Sequence, residues 1–259
     1  MSDFGPPWFG VWLALAAAFT ALWVVSLPLK NASIVDMWWG PAFVLAAALY
    51  ADGAAAVGPR GLAVMALVAA WALRLAWHIG RRNVGHGEDP RYAAWRLQHG
   101  ARWWWRSLLQ VFLLQATVAW VVSWPIGAAV TAAGSRYPTA WDVIGLGVAV
   151  TGFLLEAAAD RQLRRFKRVA ARAAVCDTGL WRYSRHPNYF GESLVWWGLL
   201  VVAAGAGGWW TVVSPLLMTW LLLRVSGVTL LEAGLGAAKP GYAEYVRRTS
   251  AFVPWPPKP

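Results

Sequence analysis

The stretch Ser184 to Glu192, SRHPNYFGE, puts a guanidinium, an imidazole, an amide, a phenol and a carboxylate into nine residues. An apolar run, SLVWWGLLVVAAGAGGWW, follows at once. Ionisable groups at the lip of an apolar helix are costly to keep there, which marks them as functional. Asp36, Arg74, His78, Glu156, Asp160, Asn188, Glu192, Arg224 and Glu232 all lie near the ends of apolar runs. The polar segments beside them supply Arg82, Arg91, Arg164, Lys167 and Arg185. Arginine forks suit phosphates. The acids Asp160, Glu192 and Glu232 suit ribose hydroxyls or an amide. Together these residues describe a nucleotide site with its phosphates toward water, beside apolar helices that suit a hydrophobic co-substrate. No GxGxxG motif follows a strand and no Walker A motif is present, so the site is neither a Rossmann nor a P-loop one. The four histidines, His78, His86, His99 and His186, do not show metal spacing with acids or cysteines, and no metal is expected.

The elements that position these groups are apolar helices. Of 259 residues, 59% are hydrophobic and the mean hydropathy is +0.45, against about 45–50% apolar in soluble domains. About 20 helical residues cross a bilayer core. Seven runs approach that length, at 8–29, 33–51, 60–79, 107–130, 139–159, 190–208 and 210–235. Pro41, Pro125 and Pro215 fall inside runs, which membrane helices tolerate. The expected fold is therefore all-α: one polytopic integral membrane domain over 1–259, without a linker or an internal repeat. The first run lacks a basic leading region and a cleavage site, and reads as a retained helix.

The net charge of +11 comes from 23 Lys and Arg against 12 Asp and Glu. Its distribution argues against nucleic acid. Six Arg lie in 80–106, eight basic residues in 160–188 and four in 239–259, with Lys30 between the first two runs. With seven spans, every strongly basic segment falls on one side. By the positive-inside rule that side is the cytoplasm, which puts the N-terminus outside and the C-terminus inside. Part of this charge serves topology and anionic lipid. The polar residues named above then all lie in the cytoplasmic half, as expected of a bacterial inner-membrane protein whose cofactor site faces the cytoplasm. Cys176 is the one cysteine, so an intrachain disulfide is excluded. No obligate protein partner is evident.

Two segments carry a resemblance. GLWRYSRHPNYFGESLVWWG resembles the signature of the membrane steroid 5α-reductase family, in its bacterial branch, and RLAWHIGRRNVGHGEDPRY is similar to the segment after helix three in that branch. The resemblance implies a seven-helix reductase that uses NADPH to saturate a carbon–carbon double bond conjugated to a steroid ketone. It implies that Asn188 and Glu192 match the cofactor-contacting residues of an NxxGE motif. Asp160 matches an acid at the end of helix five, Arg164 and Lys167 the basic residues after it, and Arg224 the arginine of the last helix. Animal members carry a Gln-Glu pair in helix two and a tyrosine in helix three that grip the ketone. Here helix two offers VDMWWG, with Asp36 as the counterpart, and 60–79 has no tyrosine. Tyr92, from EDPRY, is the residue that folds back in its place. The RHPNY motif also resembles isoprenylcysteine carboxyl methyltransferases, which bind S-adenosylmethionine; those carry paired glutamates in the last helix, where this chain has Glu232 in LLEAGL.

The expected chemistry is hydride transfer from NADPH to the β-carbon of an enone, with a proton or hydrogen bond at the ketone oxygen. Asp36 is the candidate acid, with a pKa that rises on burial unless a base pairs with it. Trp38 and Trp39 stack on nicotinamide or sterol, and His78 and Tyr92 either position the cofactor or serve the interface structurally. Arg185, His186 and Tyr189 belong to the cap of helix six, whose free N–H groups favour a phosphate or carboxamide oxygen. The alternatives are the S-adenosylmethionine-dependent enzyme and a non-catalytic sterol-binding membrane protein.

Overall fold

The computed structural model describes residues 6–83, 85–132, 138–170, 174–225, 228, 232 and 241–258. Every regular element among them is helical. Four helical runs are long and apolar enough to cross a membrane: Trp8–Leu29, Pro59–Asn83, Pro90–Val122 and Ala140–Val169. A shorter apolar run covers Trp209–Val225, and part of the expected span 210–235 lies outside the described residues. The chain divides into two compact units, Met1–Thr139 with Ala206–Thr211, and Ala140–Gly205 with Val212–Pro259.

The first unit begins with α1 (Pro6–Leu29), which ends where Lys30 turns left-handed at φ 49°. The expected span 33–51 is two helices, α2 (Ile34–Met37) and α3 (Trp39–Asp52), joined at Trp38. Pro41 has no N–H to give the Met37 carbonyl, so the ladder restarts there. Next comes α4 (Pro59–Asn83), which continues four residues beyond the end of its apolar run. The basic stretch 80–106, between two of the expected spans, is mostly helix among its described residues. Asp89 caps α5 (Pro90–His99) by accepting from the Arg91 N–H at 3.0 Å, and Pro90 fills the first turn. The chain continues through a short 3₁₀ turn, α6 (Trp103–Ser107), a π-helical stretch (Leu108–Leu113) and α7 (Leu114–Val122). A break at Ser123 precedes α8 (Trp124–Thr131), with Pro125 in its first turn.

Apolar side chains from several of these helices are fully buried, among them Phe19, Phe43, Tyr50, Trp71 and Phe112. Gly40 of α3 lies against the Ala72 carbonyl of α4 so closely that no Cβ fits. The Tyr50 phenol in this core is satisfied: its Oη lies 3.0 Å from Ser123 Oγ.

In the second unit, α9 (Ala140–Val169) has 30 residues, about 45 Å at 1.5 Å per residue, well beyond the hydrocarbon core of about 30 Å. It packs along α10 (Pro187–Ala204). Glycines set that approach. A Cβ on Gly191 would sit 2.6 Å from the Glu156 nitrogen, one on Gly152 2.5 Å from the Gly191 carbonyl oxygen, and one on Gly198 2.5 Å from the Gly145 carbonyl oxygen. Small residues are what lets two apolar helices touch through their backbones. Glu156 and Asp160, expected at the end of helix five, are therefore buried in the middle of α9, facing α10. Further on lie α11 (Val213–Trp220), a π-helical turn (Leu221–Val225) and α12 (Tyr242–Arg248). The tail after α12 folds back onto the segment before α10. Arg185 N–H donates to the Ser250 carbonyl at 2.8 Å, Ser184 Oγ to that of Phe252 at 2.7 Å, and the Trp255 N–H to that of Tyr183 at 2.9 Å.

Candidate functional site

Each unit holds one cluster of the residues singled out above. In the first, α2 and the start of α5 bring Asp36 and Tyr92 together. Tyr92 Oη donates to Asp36 Oδ1 at 2.7 Å, and Arg91 donates to Asp36 Oδ2 at 3.1 Å. A base therefore does pair with Asp36. Both neighbours are donors, so the carboxylate is the form that this geometry satisfies. Arg91 also grips Asp89, at 2.9 and 3.2 Å. Burial alone would raise the Asp89 carboxyl, but the side-chain and backbone bonds from Arg91 hold it below the usual range.

The turn after α1 anchors this arrangement. Glu88 takes both forks of Arg96 at 2.8 Å and the Ala32 N–H at 2.7 Å, while the Asp89 N–H donates to Ser33 Oγ at 3.1 Å. These contacts bind GEDPRY to the residues that start α2. On the other side of Tyr92, Gln115 Nε2 lies 3.3 Å from its hydroxyl, and the Trp39 indole donates to Gln115 Oε1 at 2.5 Å. Trp38 is exposed and Trp39 is half-buried against Phe43. His78 is half-buried on α4, and Arg82 is exposed at its end, bonded to Asn83.

In the second unit, Asn188 at the start of α10 donates to Asp160 Oδ1 at 3.2 Å. Its own Oδ1 is buried without a hydrogen-bond partner among the described residues. Glu192 lies one turn further along α10, half-buried. Arg164 and Lys167 are exposed on the last turns of α9, and Arg224 is exposed in the π-helical turn after α11. Arg185, expected at a phosphate, is fully engaged elsewhere. Its guanidinium spans both oxygens of Glu232, at 2.7 and 3.1 Å, and donates to the carbonyls of Val246 and Thr249 at 3.1 and 2.5 Å. It ties the tail to the motif. His186 is buried, stacked on Tyr189, with Nε2 3.1 Å from Glu232 Oε1. Burial pushes its imidazole below the ordinary value, against the opposing pull of Glu232.

Sequence reasoning weighed ionisable groups and so passed over Gln115 and Ser33. A polar amide inside an apolar run was the available signal for Gln115. Gly152 and Gly191 were also missed; their seven-residue spacings to Gly145 and Gly198 were the sign of a helix contact.

The family described as "Protein of unknown function (DUF1295)" matches residues 22–249. A curated relative from Schizosaccharomyces pombe (strain 972 / ATCC 24843), "Uncharacterized protein C594.04c", is 31% identical over 204 residues, 68% of this chain. The match spans only 58% of that relative's length. No solved structure matches the chain. The chain belongs to the DUF1295 family, which is associated with steroid 5α-reductase-like membrane proteins.

Proposed function

We propose that this member of the DUF1295 family is an NADPH-dependent reductase that saturates the carbon–carbon double bond of a conjugated enone in a steroid or similar lipid. It would sit in a bacterial inner membrane with seven spans, its N-terminus outside and its C-terminus in the cytoplasm. The apolar helices and the uneven placement of Lys and Arg support that topology.

The observation that carries the reading is the buried Tyr92 phenol, 2.7 Å from Asp36, which is itself paired with Arg91. Conjugate reduction builds negative charge on a ketone oxygen, and a preorganised O–H donor stabilises it. Rotation about its C–O bond lets the Tyr92 proton turn from Asp36 to an incoming carbonyl. Asp36 keeps its Arg91 partner throughout. Asp36 thereby orients the donor, and Tyr92 touches the substrate.

The residues of the second unit fit a pyridine nucleotide. The orphaned Asn188 oxygen is an acceptor of the kind that a carboxamide N–H or ribose hydroxyl satisfies. Asp160 fixes the Asn188 amide, Glu192 adds a second acceptor, and Arg164, Lys167 and Arg224 are the cations for the phosphates. When bound, NADPH would supply the hydride for the β-carbon, and water the proton that the α-carbon takes up. Arg185, His186, Tyr189 and Glu232 hold the start of α10 in place.

Thermal denaturation of the detergent-purified protein with NADPH, NADH and S-adenosylmethionine tests this. A ligand that binds only the folded state stabilises it, by about 2.7 kcal/mol at a hundredfold excess over its dissociation constant. Selective stabilisation by NADPH is expected. Stabilisation by S-adenosylmethionine alone would make the protein a methyltransferase, and stabilisation by neither would leave a non-catalytic sterol-binding protein.

A further inference from the structure

Three hydrogen bonds in the first unit run in a single direction, and the direction is set by one atom. The Trp39 indole nitrogen is a donor and never an acceptor. The Gln115 atom 2.5 Å from it is accordingly the amide oxygen. That turns the amide nitrogen toward Tyr92 Oη, at 3.3 Å. An oxygen that receives from Gln115 has its one proton to give, and it gives it to Asp36 at 2.7 Å. Arg91 closes the far end from the other carboxylate oxygen. The charged groups acting on this series are Asp36, Arg91 and Asp89, with Arg82 bearing on the two carboxylates.

We infer that Gln115, oriented by Trp39, is a positioning residue that hydrogen-bonds the Tyr92 oxygen and so holds the phenol as the hydrogen-bond donor to the ketone oxygen on which charge develops. Its catalytic consequence rests on the reductase reading; the direction of the chain does not.

A reversed chain tests it. Gln115→Glu sets two carboxylates, at 115 and 36, against one phenol proton. Asp36→Asn does the opposite: Arg91 takes the new amide oxygen, the new amide nitrogen faces Tyr92, and the phenol proton has no acceptor. The double variant satisfies every group with the direction inverted and the net charge unchanged. The residue at 36 donates to Tyr92, Tyr92 donates to the residue at 115, and Trp39 donates there as before.

Each single substitution is expected to lower the melting temperature by several degrees, since each leaves a buried group mismatched. The double variant is expected to recover at least half of the combined loss. Should a single variant fail to fold, a folded double variant still gives the expected answer. Additive losses, an unfolded double variant, or singles that melt like the wild type would overturn the inference, because packing alone couples no change at 115 to one at 36.

Enone-dependent NADPH oxidation is the second readout. It should stay at least tenfold down in the refolded double variant, whose phenol proton points to position 115. Recovered turnover would refute the positioning role. A wild type that oxidises no NADPH would instead end the reductase reading and leave the melting-temperature cycle to decide the chain's direction.

Discussion

Gly191 is where packing and chemistry meet most tightly, and Gly191→Ala is the sharpest perturbation of the second unit. The added Cβ would lie 2.6 Å from the Glu156 nitrogen and 2.7 Å from the Gly152 carbonyl oxygen. Both are backbone atoms, so neither can swing aside. Ordinary contact begins at 3.4 Å, so α10 must retreat from α9 by about 0.8 Å along that line. Overpacking of this kind costs about 1–3 kcal/mol, roughly 2–12 °C of melting temperature at this size. The same retreat stretches the 3.2 Å bond from Asn188 to Asp160, one turn away on each helix, past hydrogen-bonding distance. The assay is thermal denaturation with and without NADPH, with Gly147→Ala as the control. Gly147 lies on α9 with nothing within 4 Å of its Cβ position, and alanine there is expected to be neutral or better by up to about 1 kcal/mol. Gly191→Ala should melt lower and lose the NADPH-induced shift. If the two variants melt alike and both respond to NADPH, the close approach does not position Asn188 and the reasoning is wrong.

Tyr92→Phe removes the proposed donor and little volume; enone reduction should fall by about 10²-fold or more while NADPH still raises the melting temperature, and undiminished turnover would remove Tyr92 from the chemistry. His186 gives a pH dependence. Its pKa is lowered on folding from 6.5, so the unfolded chain binds the extra proton and the stability His186 contributes, present above about pH 6.5, is lost as pH falls. Melting curves between about pH 5 and 7.5 should show this slope in the wild type and a flatter one in His186→Gln; equal slopes would count against it.

The sequence made the apolar helices legible because length and composition alone decide them. It also made SRHPNYFGE legible as dense polar chemistry beside an apolar helix. The partners of that chemistry were not legible. Arg185 has the charge of a phosphate ligand, yet it binds Glu232 and two tail carbonyls 61 and 64 residues away. No local rule gives such distant pairings. The start of α5 was readable, since Asp89 followed by Pro90 is a cap signal, but the polarity around it reads equally as loop. Pro41 reads from the sequence as tolerable within one apolar helix, but it splits off α2, and that break presents Asp36 to Tyr92. Gln115 stayed hidden because its one mark, an uncharged amide inside an apolar run, points to no role until its two neighbours are known.

The most direct measurement of the central claim follows a hydride. Purified protein in lipid vesicles is given NADPH deuterated at the transferring position and a 3-oxo-Δ4 steroid, and the steroid is analysed by mass. The account expects a saturated ketone that carries one deuterium, formed by the wild type and not by Tyr92→Phe. A steroid recovered unchanged across a panel of conjugated enones, with NADPH intact, would contradict it.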